Sequence, residues 1–293
     1  MARLAAFRPT PRRLLATAQG GKTASSHEEH PDGWDKTADF GFERVTPEEK
    51  TSRVYSVFER VAGSYDVMND AMSLGLHRVW KDVLMERLAP PHGTRLLDVA
   101  GGTGDIAYRF LKYLKNLEPP GSEKPSHVTV SDINRAMLDA GRERWSTSHG
   151  EWTHPDDTVD WLEANAEQLP VDDESYSAYT IAFGIRNVTD KTKALREAYR
   201  VLRPGGRFMC LEFSRVDNRA LSWAYDQYSF QVIPALGHVI AGDWHSYRYL
   251  VESIRKFPDQ ETFAGMIRGV GFKGVTYENL TFGVVAIHSG FKV

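Results

Sequence analysis

The sequence has one cysteine, no hydrophobic run of membrane length and no excess of positive charge, and each shortage removes a class of function. The single thiol, Cys210, excludes an intrachain disulfide framework and a cysteine-clustered zinc site. It stands in the apolar run Phe208-Met209-Cys210-Leu211, where a buried thiol acts as a small hydrophobe. No segment supplies the ~20 apolar residues that a spanning helix requires. The longest stretch free of Asp, Glu, Lys and Arg, from Gln227 to Gly242, is interrupted by Pro234 and reads as protein interior. A net charge of −3 leaves no basic footprint, which argues against nucleic acid as a partner. Acid is also missing from the start of the chain: Arg3, Arg8, Arg12, Arg13 and Lys22, with several Ser and Thr, precede the first acid, Glu28. That composition predicts an organellar transit peptide, and the apolar core of roughly 7–15 residues that marks a secretory signal is lacking.

What is present suits one large domain. The chain has 293 residues, enough for a single α/β domain with a terminal extension. Residues 1–39 read as a leader without packed structure, and residues 40–293 as the folded domain, its first part (40–92) a helical lid. In that part Val54, Val57, Phe58 and Val61 form a helical stripe behind an acidic first turn, and a second helix is expected from His77 to Leu88. Strands are then expected at Arg95–Val99, His127–Asp132, Thr158–Leu162, Ala178–Phe183 and Arg207–Phe213, with helices between them. Asn134 is placed to cap the helix after the second strand, and residues 115–126 and 145–157 read as loops. Two closing strands are expected at Gly274–Tyr277 and Gly283–His288. Strands alternating with helices predict a doubly wound, mostly parallel sheet with a C-terminal antiparallel strand.

The segment Leu96-Leu97-Asp98-Val99-Ala100-Gly101-Gly102-Thr103-Gly104-Asp105 carries the most chemistry. An apolar strand ends in an acid and turns through three glycines, which lets backbone approach a ligand closely. The loop alone does not name that ligand, because Gly102-x-Gly104-x-x-Ala107 also fits the dinucleotide fingerprint. Asp132, ending the second strand, suits a ribose diol, which NAD and S-adenosylmethionine share. Asn165-Ala166, ending the third, offers an amide for an adenine edge and room for a flat ring. The unit Arg200-Val201-Leu202-Arg203-Pro204-Gly205-Gly206-Arg207-Phe208 has no counterpart in a dinucleotide fold. Together these favour S-adenosylmethionine and a class I methyltransferase fold.

Longer motifs make the resemblance specific. The run from Tyr65 through Asn69 and His77 to Trp80, and the run from Arg200 through Gly206 to Ser214, resemble the two signatures of the ubiquinone/menaquinone biosynthesis C-methyltransferases. Segments 181–189, 246–254, 278–281 and 284–290 are similar to that family too, so the likeness covers roughly residues 40–293. The resemblance implies methyl transfer from S-adenosylmethionine to a ring carbon of a polyprenyl benzoquinol. With the basic leader it implies the mitochondrial ubiquinone branch, whose substrate is 2-methoxy-6-polyprenyl-1,4-benzoquinol. It also implies a homodimer within a multi-enzyme ubiquinone-biosynthesis complex. A substrate that partitions into lipid predicts peripheral attachment to the inner mitochondrial membrane from the matrix side.

A sulfonium methyl is already activated, so no metal is required and the protein must hold a nucleophilic carbon in line with it. Arg186 is expected as a clamp on the phenolate that could hold a water to receive the proton, with a structural pair to Glu212 as the alternative, and Asn187 as the group orienting the quinol oxygens. Tyr65 and Asp66 belong to the lid and could contact substrate, with Asp66 either proton acceptor or helix cap. Asp98 is expected to fix the loop amides or the ligand's amino group, and Thr103 to bond the methionine end beside Gly101, Gly102 and Gly104. His77 reads as structural among Leu76, Val79 and Trp80. Trp223, Tyr225, Tyr228, Phe230, Val232, Ile233 and Leu236 read as a wall for the polyprenyl tail, as a helix core, or as both.

Overall fold

Alternation along the strands decides which residues face which layer. The computed structural model describes residues 37–61, 65–117, 125–152 and 158–293; the side chains of 65–66, 148–152 and 240–241 are not among what it describes. The expected leader, residues 1–36, lies outside the described residues. Strands β3 (Arg95–Val99), β4 (His127–Asp132), β5 (Thr158–Glu163), β6 (Tyr176–Ala182) and β7 (Leu202–Phe213) run parallel, and β8 (Lys273–Leu280) and β9 (Val285–Phe291) close the sheet. The order is β5-β4-β3-β6-β7-β9-β8, with β9 antiparallel to both neighbours. This is the expected doubly wound sheet.

Both faces are covered, so the central strands are buried on both sides and mostly apolar, with Asp98, Thr129, Ser131 and Thr180 as buried polar exceptions. Leu97, Val99, Tyr179, Ile181, Phe208 and Cys210 point to one face, against Ala194, Leu195, Ala198 and Val201 of α6 (Lys191–Val201) and Phe263 and Ile267 of α10 (Gln260–Gly269). Leu96, Val128, Val130, Ala178, Met209 and Leu211 point to the other. There they meet α3 (Leu76–Leu88) and α4 (Asp105–Lys115), whose buried Ile106, Phe110 and Leu114 recur at helical spacing, with Leu138 of α5 (Arg135–Trp152). Cys210 is fully buried within β7.

Five further helices belong to two segments flanking this layer structure. α1 (Pro47–Val61) and α2 (Tyr65–Ser73) precede it; α7 (Arg219–Gln227), α8 (Ile233–Ala241) and α9 (Trp244–Lys256) lie between β7 and α10. A π-helical turn, Tyr228–Val232, joins α7 to α8.

The structure departs from expectation in several places. Packing starts before residue 40, in a hairpin of β1 (Ala38–Phe40) and β2 (Glu43–Val45), with Ala38 buried. Glu252 of α9 accepts from the Phe42 N–H at 3.1 Å, and Phe40 stacks on Tyr249 at 4.2 Å, so a distant helix supports three-residue strands too short to announce themselves. Among the described residues the amino-terminal region holds three helices rather than two, α2 and α3 being separated by Leu74 (φ 50°) and Gly75 (φ 77°). Residues 145–152, expected as loop, continue α5. The Pro204-Gly205-Gly206 turn lies inside β7, because the amide of Gly205 and the carbonyl of Gly206 both bond Lys292. Asn134 does cap α5, its Oδ1 accepting from the Met137 N–H at 3.2 Å.

Candidate active site

The carboxyl ends of β3, β4, β5 and β6 open into two adjoining cavities of about 150 Å³ and about 100 Å³. Phe58, Ala100, Gly102, Ala182, Phe183 and Asn187 line both. Ligands in such sheets bind where the strand order reverses, here between β3 and β6. Ala100 (φ 51°) and Phe183 (φ 56°), each directly after one of these two strands, are left-handed without being glycine. Such backbone is retained where the surrounding structure enforces it, commonly at a functional site.

The smaller cavity holds the strand-end polar groups. Asp132 accepts from the Gly102 N–H at 2.9 Å and the Asn134 N–H at 2.8 Å. Burial pushes its carboxyl up, and those backbone bonds pull it back. Asn165 accepts from the Glu167 N–H at 2.9 Å, an Asx turn that presents the amide beside buried Ala166. All three line the cavity with Tyr55, Ile133 and Met137.

The larger cavity runs from the glycine loop to the helices. Asp98 is fully buried beneath the loop, one oxygen accepting from the Thr180 hydroxyl at 2.9 Å and the other, Oδ2, without a partner. Burial pushes its carboxyl up to about 7, and the Thr180 bond offsets only part of that. A Cβ at Gly101 would stand 2.7 Å from that free oxygen, which is why the position requires glycine. Of the two roles expected for Asp98, the structure shows no bond to the loop amides. The unpaired oxygen suits a cationic or N–H-bearing ligand end, as the methionine portion of S-adenosylmethionine would supply. Thr103 lines this cavity, its carbonyl accepting from Arg144 at 2.9 Å.

One feature of the loop argues against a dinucleotide. Asp105 occupies the first turn of α4, where a pyrophosphate would sit in a dinucleotide fold. Burial would push its carboxyl up, but Lys81 (2.7 Å) and Arg109 hold it well below the usual carboxylate range. The first turn of α4 is thus occupied by a carboxylate already paired with two cations, and is not left open for a diphosphate.

At the far side, Arg186 and Asn187 form a 3₁₀ turn after β6. Arg186 is buried; its Nη1 donates to Glu212 at 3.0 Å and to the Phe183 carbonyl. The alternative of a structural pair with Glu212 is therefore what the structure contains, yet the residue also lines the cavity and its Nε has no partner. Asn187 accepts from the Tyr249 hydroxyl at 3.0 Å. Tyr65 and Asp66 begin α2, but their side chains lie outside the described residues.

His77 differs from its expected setting. Leu76 and Val79 are exposed, while His77, Trp80 and Lys81 turn inward and line the cavity. His77 Nε2 meets Asp70 Oδ1 at 2.8 Å, and Nδ1 is buried without a partner. Sequence reasoning also missed Met68, Met72, Lys81 and Phe213 as lining residues. A signal existed for α3: His77 and Lys81 are polar residues on the stripe shared with Trp80 and Leu84. The aromatic stretch 223–236 divides. Tyr225, Tyr228 and Ile233 line the cavity, whereas Trp223, Phe230 and Val232 are exposed; α7 has no buried residue, but Ile233 joins a core with Val61, Met68, Tyr247 and Val251, with Tyr228 packed against it, so both readings hold in part.

Comparison with known proteins agrees with this geometry. Residues 46–292 match the model of the ubiE/COQ5 methyltransferase family. The chain is 60% identical over 279 residues to the mitochondrial 2-methoxy-6-polyprenyl-1,4-benzoquinol methylase of Drosophila melanogaster, covering 94% of this chain and 92% of the relative. It is 53% identical to the protein of that name from Homo sapiens, covering 87% and 84%. Among solved structures, an S-adenosylmethionine-dependent methyltransferase from Thermotoga maritima superposes with a TM-score of 0.55 at 19% identity, covering 82% of this chain and 100% of that one. A Haemonchus contortus phosphoethanolamine N-methyltransferase does so with 0.52 at 15% identity, covering 72% and 52%. These structural likenesses speak to the fold alone.

Proposed function

The chain belongs to the ubiE/COQ5 methyltransferase family, and from that premise we propose that it methylates a ring carbon of 2-methoxy-6-polyprenyl-1,4-benzoquinol in ubiquinone biosynthesis, with S-adenosylmethionine as methyl donor. The observation that carries this reading is the pair of adjoining, mostly apolar cavities meeting at the glycine loop, the smaller holding Asp132 and Asn165 at the strand ends and the larger a few buried polar groups. When bound, S-adenosylmethionine supplies an activated methyl group.

The chain's own residues would do the rest. Asp132 would accept from the ribose diol, and Asn165 would read the adenine edge over Ala166. Gly101, Gly102 and Gly104 would admit the ligand to the loop, with Asp98 and Thr103 holding its amino-acid end. Arg186 has one N–H without a partner and would stabilise the negative charge that develops on a quinol oxygen. Asn187 is fixed through Tyr249, which leaves its amide nitrogen for a second oxygen. Exclusion of water from the apolar cavity strengthens both interactions.

The polyprenyl tail would leave past Tyr225, Tyr228 and Ile233. Peripheral attachment to the inner mitochondrial membrane on the matrix side is part of the same proposal. It is supported by exposed Leu74, Leu221, Trp223, Val232 and Val239, which sit on or beside the elements whose inner residues line the cavity. No helix among the described residues is long and apolar enough to cross a membrane. A homodimer within a multi-enzyme assembly completes the proposal.

Titration calorimetry of the full chain with S-adenosylmethionine and with NADH tests the reading, Asp132→Asn serving as control. Saturable binding of the sulfonium compound alone, weakened in the variant, is expected; binding of NADH alone would overturn it.

A further inference from the structure

The proton that leaves the quinol hydroxyl needs an acceptor. Arg186 offers none, since a guanidinium only donates. The cavity does hold a candidate in His77, whose surroundings resemble those of a catalytic base more than those of a packed core histidine. Arg78 grips Asp70 through two bonds of 2.7 Å each, and Asp70 in turn meets His77 Nε2 at 2.8 Å. Arg78 first and His77 second hold the Asp70 carboxyl well below the usual carboxylate range, so it is ionised and can only accept. The shared proton therefore lies on Nε2, which leaves Nδ1 as a bare lone pair. That atom is buried and unpartnered in a residue lining the cavity that Arg186 and Asp98 also line.

We infer that His77, oriented by Asp70, is the base that takes the substrate's hydroxyl proton; the inference rests on quinol methylation being the reaction. The hydroxyl proton passes to Nδ1 and the oxygen keeps the bonding pair. The activated ring carbon then forms its bond to the methyl carbon as the methyl's C–S bond breaks, the sulfur keeping that pair. Loss of the ring carbon's own proton to solvent restores aromaticity, and the imidazolium returns its proton to the quinol oxygen. One proton is released overall.

The electrostatic setting fits. Burial holds the His77 imidazole below its ordinary value, against the opposing pull of Asp70, so the neutral base is the resting form at physiological pH. Lys81 on the same helix disfavours the imidazolium, while Asp70 on α2 and Asp105 on α4 favour it. Among the described residues Asp98 is a second acceptor in the cavity, but it lies beneath the glycine loop, where a Cβ at Gly101 would meet it.

His77→Gln tests the role without removing the side chain that meets Asp70, because a glutamine amide can donate to the carboxylate but is no base. In the full chain, binding of S-adenosylhomocysteine should stay within about twofold of wild type, while kcat on a short-prenyl quinol falls by ~10²–10⁴-fold with little change in KM. The acid limb of kcat/KM against pH should disappear, and added imidazole should restore turnover to His77→Ala. A chromogenic phenol, 2-methoxy-4-nitrophenol, gives a readout without turnover: bound to wild type its ionisation should shift to lower pH, and bound to His77→Gln it should shift less, by the share that Arg186 supplies. Asp70→Asn, which removes the orienting carboxylate and the charge that favours the imidazolium, should move the pH profile and lower kcat by a smaller factor. Wild-type kcat and an unchanged pH profile in His77→Gln would overturn the inference, as would loss of S-adenosylhomocysteine binding in that variant. Wild-type protein that binds no S-adenosylhomocysteine would instead overturn the methyltransferase reading beneath it.

Discussion

At the carboxyl ends of β3, β4 and β5 the cleft is made of backbone and short side chains held by near neighbours or adjacent strands, as Asp132 is by Gly102 and Asn134. Beneath α2, α3, α8 and α9 it is made of side chains brought from distant parts of the chain, as when Asn187 meets Tyr249 and Trp80 meets Thr281. The first half has its geometry before a ligand arrives, because the parallel sheet fixes it. The second half depends on tertiary packing, so it is the half that can vary with substrate while the sheet stays the same.

The largest effect is expected at the joint between the halves. Glu212→Gln leaves the Arg186 guanidinium buried without its counter-charge and should lower stability by about 3–5 kcal/mol in urea unfolding. Replacing both partners by Met and Leu should recover most of that stability but not methyl transfer, which would separate the structural share of the pair from the chemical one. Next comes the rigid half: Gly101→Ala drives a Cβ against Asp98 and Val130 and should cost about 1–3 kcal/mol. It should also weaken S-adenosylhomocysteine binding at least ~10-fold by calorimetry, whereas an equally intrusive change in the helical half should spare that binding.

A smaller effect follows from Asp98. Its folded-state carboxyl, raised by burial from 3.8 to about 7, binds more protons than the unfolded chain between those values. Stability without ligand should therefore fall as pH rises through about 7, lowering the melting temperature by ~5 °C between pH 5 and pH 8 through this group. Asp98→Asn should flatten that dependence, and a cationic ligand should oppose it by favouring the carboxylate. Smallest is the outer surface: Trp223→Ser should reduce binding to anionic vesicles by ~3–10-fold and leave turnover of a short-prenyl quinol unchanged.

The same contrast explains what the sequence made legible. Strand ends carry their chemistry in contiguous residues, so Asp98, Gly101, Gly102, Thr103, Asp132 and Asn165 could all be placed from local pattern, and all line the two cavities; Gly104 lines neither, and a Cβ there would meet Trp161 at 2.8 Å. The β1–β2 hairpin could not, because its support comes from Glu252 and Tyr249, two hundred residues away. Nor could the inward turn of His77: its neighbours Leu76 and Val79 are apolar, and which side of a helix faces inward is settled by what packs on it. Lys50 is a further case. It is an exposed residue by composition, yet it is buried and donates to the Val188 carbonyl at 3.1 Å, and burial lowers its ammonium to about 8.

The solitary thiol of this chain is a built-in clock for opening of the sheet. Cys210 has no solvent access, lies between β6 and β9 in the register of β7, and burial raises its thiol well above the ordinary value. Alkylating reagents reach it only when the central strands separate, so they do not report on rearrangement of the flanking helices. The rate at which one label per molecule appears therefore measures loss of the fold itself.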